Sequence, residues 1–167
     1  MLGTPLALLR STHPGPSVAV AALAGILSWG FAIPWQTAVV VLASVLLNQF
    51  SVGLSNDVID LARDRESGRT DKPLVRGDVS PVTVWVWASV FAVGSLVLSA
   101  LVHPGVLLAQ GVFLAAGWAY NLGLKATVFS ALAYALGFGA LPAIVSFAVE
   151  PAAAPPWWVI VIGSGLG

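Results

Sequence analysis

A bundle of membrane-spanning helices is the fold class this sequence predicts, on three observations. Hydrophobic residues make up 58% of the 167 and charged residues only 8%, about a third of the share in an ordinary soluble domain. The apolar stretches are long, continuous and not alternating, which favours helices over strands. Eleven of the fourteen charged side chains fall between Asp57 and Asp78, which leaves the flanking stretches almost uncharged. Mean hydropathy is +0.94. A formal net charge of zero gives no basis for nucleic-acid binding. Without cysteine there is no disulfide, thiolate nucleophile or Cys-ligated metal.

A spanning helix needs about 20 apolar residues, and six candidates follow in order. The first, 17–33, lies between Pro16 and Pro34. The second, 35–64, begins as an uncharged run and continues into the first carboxylates. The third covers 82–102. The fourth, 106–124, follows the turn His103-Pro104-Gly105. The fifth is 126–149, where Pro142 predicts a kink. The sixth starts at Trp157 and reaches Gly167, about half a crossing length. Residues 1–167 read as a single membrane domain. Met1 to Leu9 lacks the basic start of a cleaved signal peptide.

Threading the spans from a cytoplasmic N-terminus puts all seven Lys and Arg residues on the cytoplasmic side, as the positive-inside rule expects. The loop 57–80 is then cytoplasmic, and His103 and Glu150 lie outside. A multi-pass protein of the cell membrane follows. Trp35, Trp157 and Trp158 suit interfacial anchoring. His13 and His103 fall at opposite faces, so each reads as structural, and Glu150 as a solvated charge. Glycines 111, 117, 137 and 139 are expected to permit close helix contact.

Ionisable groups next to hydrocarbon are costly and mark sites. On a continuing helix Asn56, Asp60 and Asp64 are spaced i, i+4, i+8 and stack on one face, with Asp57 at its edge. Asn48 is expected one level deeper on that face. A row of carboxylates repels itself unless a cation intervenes, and oxygen donors beside an amide suit Mg²⁺. Arg63, Arg65, Arg69, Lys72 and Arg76 follow on a framework of Gly68, Pro73 and Gly77. Guanidinium and ammonium groups of this kind grip phosphate oxygens. Carboxylates for metal beside cations for phosphate predict a diphosphate clamp.

The run Asn56-Asp57-x-x-Asp60-x-x-x-Asp64, followed by Gly68-Arg69-x-Asp71-Lys72-Pro73-Leu74-x-x-Gly77, resembles the first aspartate-rich motif of the UbiA superfamily of intramembrane prenyltransferases. Tyr120-Asn121 with Lys125 is similar to that family's second cytoplasmic turn. Asn48-Gln49 and Leu9-Arg10…Pro14 resemble its pattern more weakly. The resemblance implies a bundle of nine helices around a central cavity, with Mg²⁺ and an isoprenyl diphosphate held by two aspartate-rich motifs. It implies Asn56, Asp60 and Asp64 as catalytic metal ligands and Asp57 as a supporting one. Lys72, Arg76, Arg63, Lys125 and Arg69 are implied for the diphosphate, and Tyr120, Asn121 and Asn48 for the substrate pocket.

The implied reaction moves an isoprenyl group from its diphosphate to an aromatic or other lipophilic acceptor. Trp118, Tyr120, Tyr134 and Phe138 offer aromatic faces to the allylic cation. The second Asp-x-x-x-Asp motif does not occur before Gly167, so the chain is expected to be the N-terminal part of a longer enzyme, binding diphosphate weakly and not turning it over alone. A transporter or other cation-binding membrane protein using the acidic cluster as an ion site is the alternative. Transport sites lie near the bilayer midplane, whereas this cluster sits at one end of a span beside an arginine-rich loop.

Overall fold

The computed structural model describes residues 3–165, which are helical throughout their regular structure. In chain order the helices are α1 (Thr4–Ser11), α2 (Pro14–Gly30), α3 (Trp35–Ile59), α4 (Leu61–Glu66), α5 (Pro73–Arg76), α6 (Pro81–Val102), α7 (Pro104–Asn121), α8 (Ser130–Phe147) and α9 (Trp157–Gly165), with a 3-10 turn at Leu124–Ala126. Proline opens α2, α5, α6 and α7, where its fixed φ suits the first turn and its missing N–H costs nothing. Ser80 caps α6 by accepting a hydrogen bond from the Thr83 amide at 3.0 Å. His103 caps α7 through Nδ1, which accepts from the Gly105 amide at 3.0 Å. Among the described residues three helices are long and apolar enough to cross a membrane, α3, α6 and α8, and α2 is a shorter apolar helix.

Several ends differ from the sequence reading. The helix expected over 35–64 bends at Asp60, whose ψ of −1° departs from the helical value. The main-chain ladder nevertheless carries across the bend, from the Asp60 amide to the Asn56 carbonyl at 3.0 Å and from the Asp64 amide to the Asp60 carbonyl at 2.8 Å. A short carboxylate drawn sideways to other partners competes with regular helix at such a position. α2 begins at Pro14 instead of 17, and Ala32 at φ 53° turns the chain before Pro34. α7 ends at Asn121 because Gly123, at φ 139°, leads into the 3-10 turn. Pro142 lies within an unbroken α8. The short helices α1 and α5 went unpredicted, since neither carries enough apolar sequence to stand out.

α3 is the central pillar. It packs along α6 over the largest interface, and α2 and α7 also lie against it; α8 then joins α7 to α9. The main core lies among α2, α3, α7 and α8 around Val41, Val45, Val106 and Ile144. A second cluster of Ala7, Leu54, Leu74 and Val84 fastens α1, α5 and α6 to the charged end of α3. Between α3, α6 and α7 runs a polar seam. Ser51 donates to the Ala88 carbonyl at 2.8 Å and accepts from the Trp118 indole at 3.1 Å. Gln110 donates to the Ser44 carbonyl at 3.3 Å. Hydrogen bonds and small residues are what hold helices together where hydrocarbon offers no hydrophobic drive.

Two of the four glycines expected at close contacts serve that purpose strictly. A Cβ on Gly117 would lie 2.6 Å from Val52 Cγ2, and one on Gly139 would lie 2.5 Å from Ser164 Oγ. At Gly137 the nearest atoms are at ordinary contact distance, and at Gly111 there is open space, so the expectation fails there. The tightest approach that shapes the site went unpredicted. At Gly53 a Cβ would stand 2.6 Å from the Thr12 carbonyl oxygen, main chain against main chain. Replacing Gly53 by alanine should push the turn at Thr12–His13 off α3 and lower stability by about 1–3 kcal/mol. Unfolding of the variant in detergent checks this, and an unchanged midpoint would contradict the close packing.

Candidate functional site

The bend at Asp60 gathers the acidic residues, and two lysines divide them. Lys125, brought in by the 3-10 turn after α7, donates to both oxygens of Asp60 at 2.7 and 2.6 Å. Arg63, three residues further along, meets Asp60 Oδ2 at 2.8 Å. Asn56 donates to the same oxygen at 3.3 Å and to Asn121 Oδ1 at 3.1 Å. Asn121 in turn donates to the Val52 carbonyl and to Ser55 Oγ, both at 2.9 Å. On the other side Lys72 bridges Asp57 Oδ1 at 2.9 Å and Asp64 Oδ2 at 2.7 Å. Asp57, Asp60, Asp64 and Lys72 are all buried.

The basic loop contributes unequally. Lys72, Lys125 and Arg63 reach the carboxylates, whereas Arg69 and Arg76 are spent within the loop. Arg69 holds Asp71 at 2.9 and 3.0 Å on the surface. Arg76 holds Asp78 at 2.7 Å and donates to the Thr70 carbonyl at 3.3 Å. Gly77, at φ 78°, ends α5 in the left-handed conformation that glycine adopts without strain. The hydrogen bond from Arg69 holds the Asp71 carboxyl at about 2, below its ordinary 3.8. Burial pulls the Lys72 ammonium down, but its hydrogen bonds to Asp64 and Asp57 outweigh burial and hold it above the usual lysine range.

Asn56 and Asn121 also line the polar end of a cavity of about 420 Å³, bounded by α2, α3, α7 and α8. That volume falls within the range of small-molecule sites. Tyr120 and Tyr134 meet edge to face there, with ring centroids 5.0 Å apart at 76°. Phe113 and Phe138 form apolar wall. Trp118, expected among the aromatic faces, turns away instead, to Ser51 and to Trp85 at 5.9 Å.

Asn48 is a second correction. It is fully buried, lies one turn from Ser44 on the polar seam, and does not line the cavity. Gln49 does. At about 100° per residue, eight positions back from Asn56 is about 80° off its face, whereas seven positions is only about 20° off. His13, read from the sequence as structural, sits beside the site. It lines the cavity and donates from Nε2 to Asp57 Oδ1 at 2.9 Å.

Among the described residues no three His, Cys, Asp or Glu side chains converge on one point. Mg²⁺ does not require three, since it takes one or two carboxylates and completes its shell with water and phosphate. The atoms that could ligate a cation here, from Asn56, Asp60 and Asp64, are all oxygens. Asn56 spends its amide hydrogens on Asp60 and Asn121, which leaves its carbonyl oxygen uncommitted among the described residues. This donor set fits a hard divalent cation.

Fold and site together define a helical membrane protein with an acidic and basic centre linked through Asn56 to an apolar cavity. The chain belongs to the UbiA prenyltransferase family, whose model matches residues 17–166. It is similar in fold to a digeranylgeranylglyceryl phosphate synthase, with a TM-score of 0.82 at 15% identity over 95% of this chain and 57% of that one. A UbiA homologue from Archaeoglobus fulgidus, solved with DMAPP and Mg²⁺, gives a TM-score of 0.76 at 23% identity over 95% of this chain and 59% of that one. An apo UbiA homologue from Aeropyrum pernix K1 gives 0.70 at 21% identity, covering 98% and 60%. The chain thus spans less than two thirds of the length of these solved structures. None of the curated proteins matches it.

Proposed function

We propose that the intact protein is a Mg²⁺-dependent prenyltransferase that moves an isoprenyl group from an isoprenyl diphosphate to a lipophilic acceptor. The observation that carries this reading is a pair of carboxylate–lysine clusters, Asp60 with Lys125 and Asp64 with Lys72, joined through Asn56 to the polar end of an aromatic-walled cavity. Family membership and the A. fulgidus homologue, solved with DMAPP and with GPP together with Mg²⁺, support it.

Asn56, Asp60 and Asp64 would hold the metal through oxygen. When bound, Mg²⁺ supplies positive charge that offsets the diphosphate and favours its departure. Lys72 and Lys125 turn from carboxylate to phosphate oxygens and stabilise the negative charge that grows on the bridging oxygen. Tyr120 and Tyr134 present π faces to the allylic carbon as its C–O bond breaks. Phe113 and Phe138 bound the space for the isoprenyl chain, and their apolar wall limits capture of the cation by water. The acceptor then forms the new bond to that carbon and releases a proton. The test is transfer from geranyl diphosphate to a panel of aromatic and lipid acceptors, with and without a chelator. Transfer that persists at full rate in chelator would remove Mg²⁺ from the reading, and no transfer to any acceptor would remove the reaction.

We also place the N-terminus and residues 57–80 on the cytoplasmic side, because one threading sorts every Lys and Arg residue there. The cysteine-free chain makes the check clean. Thr70→Cys and His103→Cys should be labelled by an impermeant maleimide from opposite sides of the membrane. Labelling of both from one side would overturn the threading.

A further inference from the structure

The diphosphate reading leaves one contact of the site unused. In the ligand-free arrangement Lys72 is clasped by Asp57 Oδ1 at 2.9 Å and Asp64 Oδ2 at 2.7 Å, and its side chain is only 10% exposed. To serve a phosphate, Lys72 must let go of at least one of them. Asp57 is the harder to leave, since its side chain is 1% exposed and water cannot replace the lost partner. A buried carboxylate stripped of its cation is strongly disfavoured. Without a second donor on Asp57, the lysine would stay where it is.

His13 is that second donor. Its Nε2 lies 2.9 Å from the same Oδ1 that Lys72 holds, although the two residues are 44 positions apart in sequence. Several features seat it there. Gly53, one turn before Asp57 on α3, lets the Thr12 carbonyl press against the helix main chain. Ser17 Oγ donates to that carbonyl at 2.8 Å. His13 itself sits at φ 51° and ψ 63°, a left-handed conformation uncommon for a residue with a side chain, which persists only where the surroundings enforce it.

We propose that His13 is a positioning residue that keeps Asp57 satisfied while Lys72 moves to the diphosphate. This inference rests on the diphosphate-binding part of the reading above. His13 need not touch the substrate, and it acts through the carboxylate.

The test measures Mg²⁺-dependent binding of inorganic diphosphate and of geranyl diphosphate to the intact protein in lipid nanodiscs by calorimetry. His13→Ala should weaken both by about tenfold, the scale of one hydrogen bond to a buried charge. His13→Gln, which retains a side-chain N–H, should recover most of that loss. In an Asp57→Asn background there is no charge to strand, so adding His13→Ala should change affinity by no more than about twofold. Wild-type affinity in His13→Ala overturns the proposal. So does an equal loss with and without Asp57→Asn, which would mean that His13 only packs the turn. If His13→Ala fails to fold, His13→Gln decides against His13→Leu, and the glutamine variant should bind the more tightly. Geranyl diphosphate bound no better than inorganic diphosphate would sink prenyl transfer and leave the role of His13 standing. No Mg²⁺-dependent diphosphate binding at all would overturn both.

Discussion

Replacing Lys72 by methionine should destabilise the intact protein by about 3 kcal/mol, the lower end of the cost of removing one partner from a buried ion pair. The lower end applies because Asp57, one of the two partners, keeps the hydrogen bond from His13. Methionine keeps much of the length and apolar stem of lysine, so the loss isolates the charge. What remains is Asp64 without the ammonium that now lies 2.7 Å away, beside Asp57 held by His13 alone. Adding Asp64→Asn should recover part of the loss, because the carboxylate left without a cation is then gone.

Arg69→Met supplies the contrast. Its partner Asp71 is on the surface, where solvent screens the pair, so this substitution should leave the unfolding midpoint almost unchanged. The pH dependence has a definite sign. Lys72 is held above the ordinary lysine value in the folded protein. Its contribution is therefore complete below about pH 10.5 and is lost as pH rises through the folded value. Denaturant unfolding of wild type and Lys72→Met should converge above that range. A Lys72→Met midpoint equal to wild type at neutral pH would show that the carboxylates do not depend on this lysine.

The order of the acidic residues was legible because helical hydrogen bonding survives the bend at Asp60. Spacing of four keeps Asn56, Asp60 and Asp64 neighbours whether or not the helix is straight there. Lys125 was legible only through the resemblance of Tyr120-Asn121 and Lys125 to a family turn, and its pairing with Asp60 comes from the fold. The face of Asn48 was not legible. α3 carries polar residues on two sides, the seam of Ser44, Ser51 and Ser55 and the cavity arc of Gln49 and Asn56, and composition alone does not say which side a given amide joins.

His13 escaped for another reason. Read locally it is a histidine before a proline at a helix start. Its partner becomes visible only once Gly53 has brought the turn onto α3, a contact between segments with no shared pattern in sequence. The sequence likewise shows five cations in the loop without showing that Arg69 and Arg76 are taken up by aspartates two positions on.

Asp60→Ala should lower kcat for prenyl transfer by at least about a hundredfold, the scale of removing one preorganised group that stabilises charge in the transition state. Asp60 stands at the junction of α3 and α4, where it meets Asn56, Arg63 and Lys125 at once. Its removal deletes an oxygen donor for the metal and also the anion that aims Lys125 and Asn56. The consequence is specific to the reacting state, because the charge on the bridging oxygen appears only as the C–O bond breaks. Loss should therefore fall on kcat more than on KM for the diphosphate, where Lys72 and Asp64 still provide ground-state binding.

Glu150 is the control. It lies beside His103 and Phe147, lining a separate cavity, and Glu150→Gln should leave kcat within about twofold, as expected for a charge remote from the reaction. Asp60→Asn separates charge from shape. If the carboxylate acts through its charge, asparagine should restore folding but not turnover. Near-normal kcat in Asp60→Ala, in a sample that is folded and binds geranyl diphosphate, would take the metal and the leaving-group chemistry away from this end of α3.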